Sequence, residues 1–233
     1  MTDVFETFDI FDPSAAPNRS RADFVYESLR DAISDGRIPG GGRVREEEVA
    51  RNLGVSRTPV REALQRLQQR GLLVLGPGRG LVVAQLGHDE VVELYAMREI
   101  LEGSAARFAA ERATPEEIAT LYQLQEQLKS AERDLHVTLN RRFHQAIYEA
   151  AHNRYLLQTL ESLHDSFALL RSTTMRLPHR QRDSDEERRR IIAAIEKRDP
   201  LLAERAAREH ILQAQRTRFE DAAGAEPGVS GRD

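Results

Sequence analysis

From Arg21 onward, apolar residues fall at Phe24, Val25, Leu29 and Ile33, the spacing of one helix face. Residues 36–42, rich in Gly with Pro39 inside, end that helix. A short helix is predicted over about residues 46–53, with Val49, Ala50 and Leu53 facing inward. Gly54 follows, and a third helix is predicted over about 58–70 with Val60, Leu64 and Leu67 inward, stopped by Gly71. Residues 72–75 and 80–84 read as two short strands around a tight Gly76-Pro77-Gly78-Arg79 turn. From His88 the pattern is wholly helical, broken only at Thr114-Pro115, Asn153, Leu177-Pro178-His179 and Asp199-Pro200. About six helices are expected between residues 88 and 220. Thr114-Pro115 with Glu116 and Glu117 has the marks of a helix start: a capping hydroxyl, a first-turn proline, and acids at the positive end of the dipole.

The expected fold class is therefore mainly α: an N-terminal winged helix-turn-helix of three helices and a β-hairpin wing, then an all-α helical-bundle sensor domain. Its expected divisions are a flexible arm at 1–18, the winged domain at 19–84, the helical domain at 88–220 and a disordered tail at 221–233. A chain of 233 residues accommodates two such cores.

Composition narrows the chemistry. The chain has no cysteine, which excludes disulfides and thiolate metal sites and is compatible with a reducing cytoplasm. It has no run of 18 apolar residues to span a membrane, and its acidic start lacks the basic opening of a secretory signal, so the expected location is the cytoplasm. The net charge of -4 conceals a basic block: residues 19–84 carry 12 Arg against 8 Asp and Glu. A basic block beside acidic surroundings suits an anionic partner.

Two short helices joined through Gly54 place the second across the first, as in a helix-turn-helix. Arg57 lies at the start of that second helix, and Arg61 and Gln65 follow one turn apart. Side chains at the start of such a helix reach base edges in the major groove, where Arg to guanine is the commonest specific contact. Ser56 and Thr58 can cap the helix or donate to phosphate. In the wing, Gly78 and Gly80 let backbone approach DNA, and Arg79 can meet a minor groove or a phosphate.

The string Val55-Ser56-Arg57-Thr58-Pro59-Val60-Arg61-Glu62-Ala63-Leu64 resembles the signature of GntR-type bacterial regulators. The Gly36-Arg37-Ile38-Pro39-Gly40-Gly41 turn resembles that family's Gly-Pro-Gly turn. The resemblance implies DNA contacts from Arg57, Thr58, Arg61 and Gly78. Two positions depart from a well-known member: Glu47 replaces an Arg, and Pro77 a polar wing residue.

Tyr95-Ala96-Met97-Arg98-Glu99-Ile100-Leu101-Glu102 and the stretch from Phe143-His144 to Asn153 resemble an FCD-type sensor domain of the FadR-like branch, over roughly 88–215. Many such domains bind a divalent metal through an Asp, a His four residues on, and two later His. The matching residues are Asn140, His144, Arg188 and His210. Any metal would be left to Asn140, His144 and His210, and two His with an amide make a poor zinc site. Arg188, permanently charged, is instead expected to hold a small carboxylate effector, flanked by Asn140, His144 and His210, with Arg98 on a pocket-lining helix; alternatively Arg98 and Glu102 form an i,i+4 ion pair. The chain shows no nucleophile–base pair, phosphate loop or complete metal triad, so no enzyme is expected. The expected function is a ligand-responsive repressor that binds an inverted-repeat DNA operator as a homodimer.

Overall fold

The computed structural model describes residues 20–34, 36–76, 78, 80–170 and 178–224. The arm expected at 1–18 and residues 225–233 of the expected tail lie outside them. Contacts divide the chain into two compact units, residues 1–91 with 162–172, and residues 92–161 with 173–233.

In the first unit, α1 (Arg21–Ser34) buries Val25, Leu29 and Ile33 on the face set by their spacing. Its first turn is capped by the Ser20 hydroxyl, which accepts from the Asp23 amide at 3.0 Å. The short α2 (Glu46–Asn52) buries Val49 and Ala50, and α3 (Arg57–Gln69) buries Val60, Ala63, Leu64 and Leu67. Between them Gly54 takes φ +65, a left-handed conformation that favours glycine, so the chain reverses in four residues. The wing strands β2 (Leu73–Leu75) and β3 (Leu81–Val83) pair antiparallel, with Val74 opposite Val82.

Two features go beyond the pattern. A third strand, β1 (Arg43–Val44), pairs antiparallel with β3 and gives the order β1-β3-β2. Two residues are too few to show alternation in sequence. The segment 162–172, expected within the helical domain, belongs to the first unit, and Ala168 lies in its apolar core.

The second unit is helical: α4 (His88–Arg112), α5 (Pro115–Ser130), α6 (Arg133–Ala150), α7 (Arg154–Phe167), α8 (Pro178–Glu196) and α9 (Pro200–Gly224). The first residues of α4 and the last of α7 fall in the winged unit by contact. Six helices match the expected number among the described residues. The last runs to Gly224, four residues beyond the expected domain end at 220, because its buried stripe of His210, Ala214 and Thr217 carries the helix toward that end. Thr114 caps α5 as its sequence predicts: its hydroxyl accepts from the Glu117 amide, and the Glu117 carboxylate accepts from the Thr114 amide at 2.7 Å. The core packs Ala105, Ala106, Ala109 and Ala110 of α4 with Leu121, Phe143, Ile147, Ile191, Ile195 and Ala207. Small residues on α4 let neighbouring helices approach closely. At Gly103 a Cβ would lie 2.8 Å from the Arg208 side chain.

Candidate functional site

The structure gathers the predicted DNA-reading residues on one exposed surface of α3. Arg57, Thr58, Arg61 and Gln65 are exposed, while Val60, Ala63 and Leu64 face the core. Ser56 is the N-cap residue, but its side chain makes no capping bond. In the wing Gly78 takes φ +80 with open space around it, and the turn is closed by the Gly76 amide donating to the Gly80 carbonyl at 2.8 Å. Pro77 and Arg79 lie outside the described residues.

Glu46, the first residue of α2, is the feature of this face that sequence reasoning missed. Its Oε1 accepts from Arg57 Nε at 2.9 Å and from Arg61 Nη2 at 3.0 Å, and its Oε2 accepts from Arg61 Nε at 3.3 Å. Glu47, at the position of the family arginine, approaches Arg57 Nη1 at 3.3 Å. The hydrogen bonds from Arg61 first, and Arg57 next, hold the Glu46 carboxyl below its ordinary value. The available signal was three consecutive acids, Glu46–Glu48, immediately before a helix rich in arginine.

In the helical unit, charged and polar side chains cluster inside the bundle. Arg188 is 1% exposed, and its hydrogen bonds go to neutral acceptors: Gln125 Oε1 at 2.9 Å, Asn140 Oδ1 at 3.3 Å and Ser184 Oγ at 2.6 Å. Burial lowers its guanidinium from 12.5 to about 10. Among the described residues no carboxylate lies within ion-pair distance of it. Gln125 is in turn held by Asp185, through the backbone carbonyl at 3.2 Å and the carboxylate.

Of the residues expected to flank Arg188, Asn140 bonds it, whereas His144 and His210 bond carboxylates. The two imidazoles stack on each other, centroids 5.3 Å apart, and each binds a buried carboxylate. His144 Nδ1 is 2.7 Å from Glu102 Oε2, and His210 Nδ1 is 2.6 Å from Glu187 Oε2. Glu102 also accepts from Arg98 Nε, so the i,i+4 ion pair is the arrangement Arg98 adopts. Burial alone would raise the Glu102 carboxyl, but Arg98 and then His144 hold it below the usual carboxylate range. Glu187 receives a two-pronged pair from Arg180, both bonds 2.7 Å, and Arg180 also donates to the His210 carbonyl at 3.2 Å. Burial depresses His210 from 6.5 to about 4, so its ring is neutral near pH 7. His136, one turn before Asn140, is buried as well, and burial followed by Arg188 lowers its pKa. The buried nitrogens His136 Nδ1 and His144 Nε2 have no hydrogen-bond partner among the described residues.

These residues do not fit a divalent metal. Arg188 stands at one of the four ligand positions and already bonds the Asn140 oxygen that would be another. An ion there would face a buried guanidinium, a like charge in a poorly screened interior.

Comparison with known proteins gives two family matches. Residues 21–83 match the family of bacterial regulatory proteins called gntR, and residues 93–213 match the FCD domain. The chain is 35% identical over 195 residues to the probable D-xylose utilization operon transcriptional repressor of Paenarthrobacter nicotinovorans, covering 80% of this chain and 85% of that one. It is 30% identical over 221 residues to the Glc operon transcriptional activator of Escherichia coli (strain K12), covering 83% and 87%. Among solved structures it is similar to E. coli McbR/YncC, with a TM-score of 0.77 at 27% identity over 88% of this chain and 99% of that one.

Proposed function

The chain belongs to the gntR family of bacterial regulatory proteins and carries an FCD domain, and from that premise we propose that it is a repressor whose operator affinity is set by a small carboxylate seated on Arg188. Members of this family are DNA-binding transcription regulators, not enzymes. The finer reading assigns Arg57, Thr58 and Arg61 to base edges, Ser56, Gln65, Gly78 and Arg79 to supporting contacts, and two copies of the chain to an inverted repeat. A single winged domain meets one half-site, and linking two raises affinity without new contacts. Repression follows the more identical of the two relatives, whose name is that of a repressor.

One observation carries the effector reading: Arg188 is a buried cation whose hydrogen-bond partners are neutral. Burial makes that charge costly, and the nearby carboxylates of Asp185 and Glu187 offset it only in part. A carboxylate would supply a full counter-charge and accept from Nη2, which donates to none of Gln125, Asn140 and Ser184. The same cation argues that this chain takes its effector without a metal ion between them.

Thermal shift over a panel of small carboxylic acids tests this, because a ligand that binds only the folded state raises the melting temperature. At least one acid should stabilise the wild type and change its affinity for operator DNA. Arg188→Met should respond to none of them yet still bind operator. An Arg188→Met protein that responds like wild type would place recognition elsewhere.

A further inference from the structure

We propose that Glu46 is a selectivity residue of the DNA-reading face, holding Arg57 and Arg61 away from phosphates and releasing Arg61 only to a base edge. This rests on the assignment of α3 to base reading made above.

A guanine presents two acceptors, O6 and N7, to two parallel N–H donors. A guanidinium has two edges that supply such a pair, the two Nη groups or Nε with one Nη. On Arg61, Glu46 fills the second of these: Nε at 3.3 Å and Nη2 at 3.0 Å. On Arg57 it takes Nε alone at 2.9 Å, while Glu47 lies 3.3 Å from Nη1 and Nη2 is left to other acceptors. Glu46 therefore orients Arg57 and masks Arg61.

Glu46 is 22% exposed, against 58% and 70% for the two arginines, so it sits beneath them and not between them and solvent. Exposed ion pairs are weak enough to exchange. What replaces the carboxylate decides the outcome. A phosphate brings a second anion beside Glu46 and is repelled. A base edge is neutral, offers two acceptors and brings no second anion beside Glu46. One carboxylate thereby penalises backbone contact more than base contact, which is discrimination through a repulsive element.

The test measures binding of wild type, Glu46→Gln, Glu47→Gln, Arg57→Ala and Arg61→Ala over a salt series. The probes are a duplex enriched by the wild-type protein from a random library and an unrelated duplex of equal length. Glu46→Gln should tighten the unrelated duplex about five- to tenfold and steepen its slope of log affinity against log salt by about 1, since one more phosphate is neutralised. Its affinity for the enriched duplex should stay within about twofold, because that complex has already displaced the carboxylate. Glu47→Gln, which removes an equal but more exposed charge that meets Arg57 and not Arg61, should shift both duplexes by less than Glu46→Gln shifts the unrelated one. Glu46→Asp keeps the charge but shortens its reach. It should weaken the enriched duplex while the unrelated one stays weakly bound, and it serves if the Gln variant folds poorly. Glu46→Gln behaving as Glu47→Gln does, or leaving the unrelated duplex unchanged, overturns the proposal while base reading by α3 stands. If Arg57→Ala and Arg61→Ala both bind the enriched duplex as wild type does, the base-reading assignment itself fails, and this inference with it.

Discussion

The two units use arginine in opposite ways. In the winged unit Arg57 and Arg61 are exposed and share one carboxylate. In the helical unit Arg180 and Arg188 are each 1% exposed. An exposed pair contributes about 0–1 kcal/mol, so its partner can be changed at little cost, which suits a surface that must sample many sites. A buried arginine has no such freedom. Arg180 is matched by the carboxylate of Glu187 in a two-pronged pair and acts as scaffold. Arg188, equally buried, has acceptors but no counter-charge in contact. The contrast between these two, on one helix and two turns apart, separates a finished ion pair from an unfinished one.

The largest effect should come from the finished pair. Arg180→Met leaves Glu187 buried without its cation, which costs about 3–5 kcal/mol of stability. Arg188→Met strands only neutral acceptors, at about 1–2 kcal/mol, and relieves the burial of a charge, so its net loss should be smaller still. Urea denaturation of both variants measures the gap, and equal losses would erase the distinction. The exposed arginines should show the reverse profile. Arg57→Ala should weaken operator binding roughly ten- to a hundredfold and relax base preference at its position, with an unchanged melting temperature. A loss that is the same on every sequence would demote Arg57 to a phosphate contact.

The smallest effect is on pH dependence. The unfolded chain takes up a proton at His210 near pH 6.5, whereas the folded one resists it until about pH 4. The unfolded state thus binds more protons between those values, and stability is fully present above about 6.5 and falls as pH drops toward 4. His136, also depressed by burial, adds in the same direction. Glu187, held below its ordinary 4.5, extends the loss to lower pH. Melting temperature followed from pH 7.5 to 4 should decline over this window, and a flat profile would mean that the rings are charged inside the bundle.

What the sequence disclosed was local. The stripe Val25, Leu29, Ile33, the glycine stops and the Thr114 cap each act within a few residues, and the helices and wing follow from them. What it concealed depended on partners distant in the chain. Strand β1 exists only because β3 lies beside it. Ala168 cannot announce from its neighbours that it belongs to the winged core. In the site, His136, Asn140 and His144 stand four apart on α6, and Arg180, Ser184 and Arg188 four apart on α8. Those spacings were legible, yet Arg180 lies in a run of charges that reads as a solvated face, and nothing local marked Glu102 and Glu187 as the partners of the two imidazoles. Arg189 and Arg190 do form an exposed face; only Arg188 turns inward.

The three acceptors around Arg188 have a consequence for how fast and how discriminately it can act. Gln125, Asn140 and Ser184 grip the guanidinium from three different places on the bundle, so its rotamer is fixed before any ligand arrives. Immobilising a long, rotamer-rich side chain on association ordinarily costs about 0.5–1.5 kcal/mol. Here that entropy is lost once, during folding, and a carboxylate bound as proposed would not lose it again. A rigid cation also rejects by shape. On the proposed reading, an anion that cannot reach Nη2 in the fixed plane would gain no help from the arginine swinging toward it, so selectivity would follow the angle at which the bundle holds one side chain.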